Sequence, residues 1–305
     1  MDAILQTLLE KVAGLHEVPQ GAYNIRENGV SIGRASSENI DIIPREDGTG
    51  IDVHIKPGTK RESVHIPVIL SQTGITEAVC NDFYIGDDSD VTIVAGCGIH
   101  NGGAKESRHD GIHRFFVGKN AKLKYVEKHY GQGEGSGEKV MNPRTEITIE
   151  EGGYMEMESV QIKGIDSTKR ETIAHLKDGA KLVVQERLMT HGTQYADSRF
   201  DVSLDVENSS ANISSRSVAR DTSKQMFYSN LIGNNLCSGH TECDAIIMDH
   251  AIISSLPEIT ANHPDAALIH EAAIGKIAGE QIIKLMTLGL TEQEAEEQIV
   301  NGFLK

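Results

Sequence analysis

Two cysteines, a histidine and two carboxylates stand close together in Cys237-Ser-Gly-His240-Thr-Glu242-Cys243-Asp244, and a further imidazole–carboxylate pair follows at His270-Glu271. Thiolate, imidazole and carboxylate are the side chains that hold iron or zinc. The spacing matches no standard zinc motif, because neither cysteine belongs to a Cys-x2-Cys pair. Ile274 occupies the place of the second histidine that a His-Glu-x-x-His zinc site requires. If His270 and Glu271 lie on a strand, they point to opposite faces. They can then share one centre only through a bulge or a second chain, so an interface is expected here. Cys97 sits between glycines in Ala95-Gly-Cys-Gly-Ile-His100, with His109 and His113 following. Those glycines would allow the thiol to be presented at a tight bend, and the alternative is a buried structural thiol. Cys80, flanked by Val79 and Asn81, is expected in the core. The stretch Gly131–Lys139 lacks the Gly-Lys-Ser/Thr ending that grips phosphates and carries two glutamates, which predicts a flexible loop.

The chain that must position these groups has 305 residues, 38% apolar, with no Trp, 4% aromatics and 30 glycines. So few large side chains and so many turn residues suit stacked short strands better than a helical core. The formal charge of −16 disfavours a phosphate backbone or an anionic membrane surface as partner. No apolar run of about 18 residues and no signal peptide is found, which predicts a cytoplasmic protein. Four unevenly spaced cysteines predict free thiols or ligands rather than a disulfide framework.

Residues 2–15 carry Ile4, Leu5, Leu8, Leu9, Val12 and Leu15 at helical spacing, a short helix expected to cover an open end of the fold. Gly21–Leu70 breaks into short alternating runs, read as strands. His54 and His65 among them are read as solvated or packed strand histidines. From Thr76 a polar turn recurs before an alternating strand, as in Gly118-Lys-Asn-Ala-Lys-Leu-Lys-Tyr125 and Lys177-Asp-Gly-Ala-Lys-Leu-Val-Val184. The spacing is roughly 26 to 33 residues, with no intervening helix. This predicts a β-solenoid with two or three strands per coil; a sandwich is the alternative. Gly289 is expected to end one C-terminal helix, and Thr291-Glu-Gln-Glu294 is a capping box for another. The expected segments are 1–75, a helix with short strands; 76–275, the solenoid core; and 276–305, helices that cap the stack or meet a partner.

The chain resembles the SufB/SufD scaffolds of iron–sulfur cluster assembly. The likeness is carried by Gly96-Cys-Gly98, Gly118 to Tyr125, Thr241-Glu-Cys-Asp244, Ile269-His-Glu-Ala272 with Gly275-Lys-Ile277, and the ending Gly289 to Phe303. The resemblance implies a right-handed parallel β-helix with helical ends. It also implies a dimer and a SufC-like ABC ATPase docked on the C-terminal helices. Cys243 matches the family's proposed cluster cysteine, and His270 and Glu271 match the histidine–glutamate pair of the SufB branch. No cysteine stands in Thr145–Glu151, where a second SufB cysteine would fall, so that sulfur route is not carried over. The likeness is to short SufB-like scaffolds that pair as homodimers. The reading expects a transient iron–sulfur cluster held by Cys243, His270 and Glu271, with Cys237, His240 and Cys97 as further candidates, and passed to apo iron–sulfur proteins. Two rivals are a cupin-like mononuclear metal enzyme using His109, His113, His270 and Glu271, and an inert structural adaptor.

Overall fold

The computed structural model describes residues 3–305. Helix α1 (Ala3–Ala13) precedes two antiparallel pairs, β1 (Ala22–Glu27) with β2 (Val30–Ala35) and β3 (Ile40–Pro44) with β4 (Ile51–Ile55). Strands then alternate between two parallel sheets: β5 (Lys60–Leu70), β6 (Thr76–Ile85), β7 (Asp90–His100), β8 (Ser107–Val117), β9 (Lys122–Gln132) and β10 (Lys139–Ile149). The alternation continues through β11 (Tyr154–Lys163), β12 (Ser167–Leu176), β13 (Lys181–Thr190), β14 (Tyr195–Leu204), β15 (Ser210–Ala219) and β16 (Lys224–Gly233). It ends with β17 (Cys237–Ile247), β18 (Ile252–Ala261) and β19 (Ala266–Gly275), followed by α2 (Gly279–Thr287) and α3 (Glu292–Phe303).

β1 and the odd-numbered strands from β5, with β2 at the edge, stack into a 10-stranded sheet; β3 and the even-numbered strands from β4 make a 9-stranded one. Two strands per coil and about 8 turns make a β-solenoid, not a sandwich or a cupin-like barrel. From Lys60 onward each coil takes 27 to 33 residues, as in Val140 over Ser167 and Tyr130 beside Lys163. The strands before Thr76 belong to the same two sheets.

The recurring polar turn has a backbone cause. Asp88, Asn120, Gly152, Gly179 and Asn208 occupy successive coils at positive φ. The amide of each donates to the carbonyl of a residue on the next turn, from Asp88 to Lys119 through to Asn208 to Leu236. Only Gly, Asn and Asp visit that conformation cheaply, and so they recur at coil spacing. Between turns, alternation sends one side chain in two to the bore, where Phe83 stacks on Phe115 at 4.6 Å within one apolar column.

Helix α1 runs Ala3–Ala13; Asp2 of the expected span lies outside the described residues. The helix does not cover an open end. Leu5, Leu8, Leu9 and Val12 pack on the outer face of β5, β7 and β9 against Ile69, Ile25 and Tyr130. Gly96 and Gly98 make that seating possible: a Cβ on Gly96 would stand 2.4 Å from the Val12 carbonyl oxygen. The glycines beside Cys97 therefore admit a helix and do not form a bend; Cys97 lies buried within β7. Gly131–Lys139 is likewise packed and not a free loop. Gly135 and Gly137 donate to the carbonyls of Asn101 and Gly103 on the previous coil, so close that a Cβ on either would clash.

At the C-terminal end, the Thr291–Glu294 capping box is present. Val300, Phe303 and Leu304 pack on Val218, Ile246 and Met248 at the side of the solenoid, leaving its last coil open. Among the described residues no helix is long and apolar enough to cross a membrane.

Candidate functional site

The open coil holds the donors singled out by the sequence. Cys243 lies on β17 and His270 on β19, which pair in parallel without a bulge: Thr241 faces His270 and Cys243 faces Ala272. Side chains two apart share a face, so Cys243, Thr241 and His270 all line the bore. Cys243 and His270 are diagonal neighbours, with Cα atoms about 8 Å apart. Glu271 points outward with His240, whose Nε2 is 3.4 Å from its Oε2. The expected opposition of His270 and Glu271 is thus present within one chain, and β19 supplies no bulge to remove it.

The bore side is prepared for a metal in one respect and closed in another. His270 Nδ1 lies 2.6 Å from the Thr241 hydroxyl. With Nδ1–H donating there, Nε2 keeps its lone pair, the second-sphere arrangement of metal-binding histidines. Burial, then nearby His240, lowers the pKa of His270, which favours the neutral ligand form. Cys243 is only 1% exposed. Burial raises its thiol to about 11, offset in part by Ser255, whose Oγ has no other partner. A metal must therefore displace the thiol proton and gain access past β18.

Other candidates are not gathered with it in one chain. Cys237 is buried six residues along β17, about 20 Å from Cys243 at strand rise. Cys97 lies in register with His129 of β9, five strand spacings or about 24 Å from β17. His109 and His113 line the bore on β8, far from His270, so the four-residue mononuclear set does not form. Among the described residues no group of three or more His, Cys, Asp or Glu is placed to hold a metal.

What the sequence reading missed is a charged seam inside the bore. Arg170 of β12 is ion-paired with Glu127 of β9 and lies 3.6 Å from Glu186 of β13. Ser198 and Ser215 donate to the two Glu186 oxygens at 2.6 and 2.7 Å. Tyr125 donates to Glu127, and His113 joins Tyr125 at 2.8 Å. Glu127, Ser159, Glu186, Ser215 and Cys243 stack in register, so this polar column leads along the bore to the cysteine. Burial opposes ionisation of Glu127, yet Arg170 and then His129 hold its carboxyl well below the ordinary value. Strand parity was the available signal: Leu123 and Tyr125 face inward, and Glu127 and His129 continue their alternation.

His109 belongs to the same wall. Its Nδ1 is buried without a partner, and burial, then His113 and His129, pushes its pKa down to about 3. An unfolded histidine titrates near 6.5. Between those values the unfolded chain binds a proton that the folded chain refuses, so stability falls as pH drops from about 6.5 and levels off below about 3. Denaturant midpoints at about pH 7 and about pH 5 are expected to differ less in His109→Gln than in the parent. Equal acid losses in the two would contradict this.

The fold defines a class: a parallel β-solenoid with Cys243 and His270 on the bore wall near one uncovered end. The model of the SUF system FeS cluster assembly SufBD core domain matches residues 79–303. An iron–sulfur cluster assembly SufBD family protein of Archaeoglobus fulgidus is 31% identical over 263 residues, spanning 85% of this chain and 69% of its own length. A relative so described from Methanocaldococcus jannaschii is 29% identical over 82% of this chain and 79% of its own. One from Pyrococcus horikoshii is 26% identical over 97% and 84%. The chain belongs to the SufBD family.

Proposed function

We propose that the protein is a scaffold, without catalysis of its own, on which a nascent iron–sulfur cluster is built where two copies of this chain meet. The observation that carries this reading is the unfinished last coil. β18 and β19 are sheet edges with unpaired backbone groups, and Ile252, Leu256, Ile259, Ile269 and Ile274 stand exposed on them. Such an edge is a template for another strand, and a two-fold pairing lets identical edges cover each other. It also brings Cys243 and His270 of one copy toward His240 and Glu271 of the other, which one chain keeps on opposite faces.

The cluster is cargo. Thiolate mixed with imidazole and carboxylate is a more exchangeable set than four thiolates, which suits delivery to apo iron–sulfur proteins. Helix α2 has no buried residue and presents Ile283, Met286 and Leu288, the last 81% exposed. This apolar face is the proposed seat of a SufC-like ABC ATPase. Nucleotide-driven closure of that partner would bias the end coil between a state that keeps Cys243 buried and one that admits iron and sulfide to it. Four free thiols suit a reducing cytoplasm.

Anaerobic reconstitution with ferrous iron and inorganic sulfide tests the reading. Broad visible absorbance is expected, with about one centre per two chains and a mass of two copies. A colourless monomer retaining a single metal ion would contradict the reading.

A further inference from the structure

Cys80 was expected in the core, yet it projects from the outer face of β6 and is the one cysteine of four that is not buried. Two guanidinium groups converge on its sulfur. Arg45 Nη1, just past β3, donates at 3.0 Å, and Arg114 Nη2 of β8 donates at 3.1 Å. Each arginine is fixed by carboxylates. Arg45 is held by Asp52 at 2.8 Å and by Asp82; Arg114 is held by Asp82 at 3.2 Å and Glu146 at 3.7 Å. Asp82 is only 6% exposed, and its Oδ2 serves both arginines while its buried Oδ1 has no partner. Arg114 also forms one wall of a surface pocket of about 270 Å³ with Phe116, Arg144 and His175.

A cysteine placed only to fill space would have apolar neighbours. This one has two cationic donors on its sulfur, an orphaned acceptor beside it and an adjacent pocket. The thiolate is the nucleophile of cysteine chemistry, and N–H donors from arginine hold a sulfur anion by charge-assisted hydrogen bonds.

We propose that Cys80 captures sulfane sulfur from a low-molecular-weight persulfide of the cysteine persulfide type. The Cys80 thiolate attacks the terminal sulfur of the donor. A new S–S bond forms at Cys80, the donor's S–S bond breaks, and its electron pair leaves on the donor thiolate. The terminal sulfur keeps its oxidation state, so no oxidant or reductant is consumed. Arg45 and Arg114 stabilise the anion before and after transfer, and Asp82 Oδ2 holds both guanidinium groups in place.

The purpose of this step rests on the assembly function proposed above; its chemistry does not. Cys80 stacks in register with Ile112, Arg144, Glu171, Arg199, Tyr228 and then Leu256 of β18. Capture and assembly are therefore about six strand spacings, or about 29 Å, apart along the solenoid, and the two can be tested separately.

The full chain is exposed anaerobically to cysteine persulfide for short times, alkylated, and its cysteine peptides are weighed. One added sulfur is expected on Cys80 before it appears on Cys97, Cys237 or Cys243. Cys80→Ser should remove the early adduct, and Arg45→Gln or Arg114→Gln should slow loading about tenfold. Cys80→Ser should still form cluster at the parent yield from iron and inorganic sulfide, which bypass capture. Sulfur spread evenly over the four cysteines, or arginine variants loading at the parent rate, would overturn the proposal. So would a Cys80→Ser protein unable to use inorganic sulfide, because Cys80 would then belong to the assembly centre. If Cys80 loads as expected but no variant forms cluster, sulfur capture stands and the assembly reading fails.

Discussion

Cys243→Ser is expected to fold as the parent does and to lose cluster formation, with iron and acid-labile sulfide down by about a hundredfold or more. The side chain lies on the bore wall beside Ser215 in register and Ser255 opposite, so a hydroxyl meets a surface already lined by hydroxyls. Little packing is lost, and the unfolding midpoint should stay close to the parent's. What disappears is the soft ligand: a serine oxygen neither ionises near neutral pH nor binds sulfide-bridged iron as thiolate does. Metal analysis and visible absorbance after reconstitution read the effect. Full cluster content in the folded variant would remove Cys243 from the centre.

Arg170→Met should be the most damaging single change inside the solenoid. Arg170 is 3% exposed and lies between Glu127 and Glu186, themselves buried. Methionine fills much of the same volume, so the loss is electrostatic: two carboxylates remain in the bore without their cation. Breaking a buried pair in this way costs about 3–5 kcal/mol, a large part of the roughly 5–15 kcal/mol that holds a domain together. The pH dependence should change as well. In the parent, Glu127 has a depressed pKa, so its contribution is present above the unfolded value and is lost as pH falls through the folded one. Without Arg170 that carboxyl no longer favours its charged form, and acid should cost the variant less than the parent. Adding Glu127→Gln and Glu186→Gln should recover most of the loss. Urea titration reads all three proteins, and an Arg170→Met midpoint equal to the parent's would refute the central place of this seam.

Those two residues mark what could and could not be read from the chain. Asn120, Gly152, Gly179 and Asn208 reveal the coil period because one backbone conformation selects their types. The opposite faces of His270 and Glu271 follow from strand parity alone, and the capping box at Thr291 is a local signal. Arg170 was not visible, because its partners Glu127 and Glu186 lie 43 residues before it and 16 after it and meet it only across the bore. Cys80 was misplaced for a related reason. Its flanks Val79 and Asn81 face inward, and parity then turns the cysteine outward to arginines 35 positions before it and 34 after it. Gly96 and Gly98 suggested a bend, whereas the helix they admit is the N-terminal one, more than 80 residues earlier in the chain. Local conformation was legible; proximity between coils and helices was not.

Iron located by anomalous diffraction in crystals of the reconstituted protein tests the shared-centre reading most directly. Iron is expected at the open coil, on a two-fold axis between two copies, within bonding distance of Cys243 Sγ and His270 Nε2. Iron bound instead within a single chain, among His109, His113 and His129 in the bore, would contradict it.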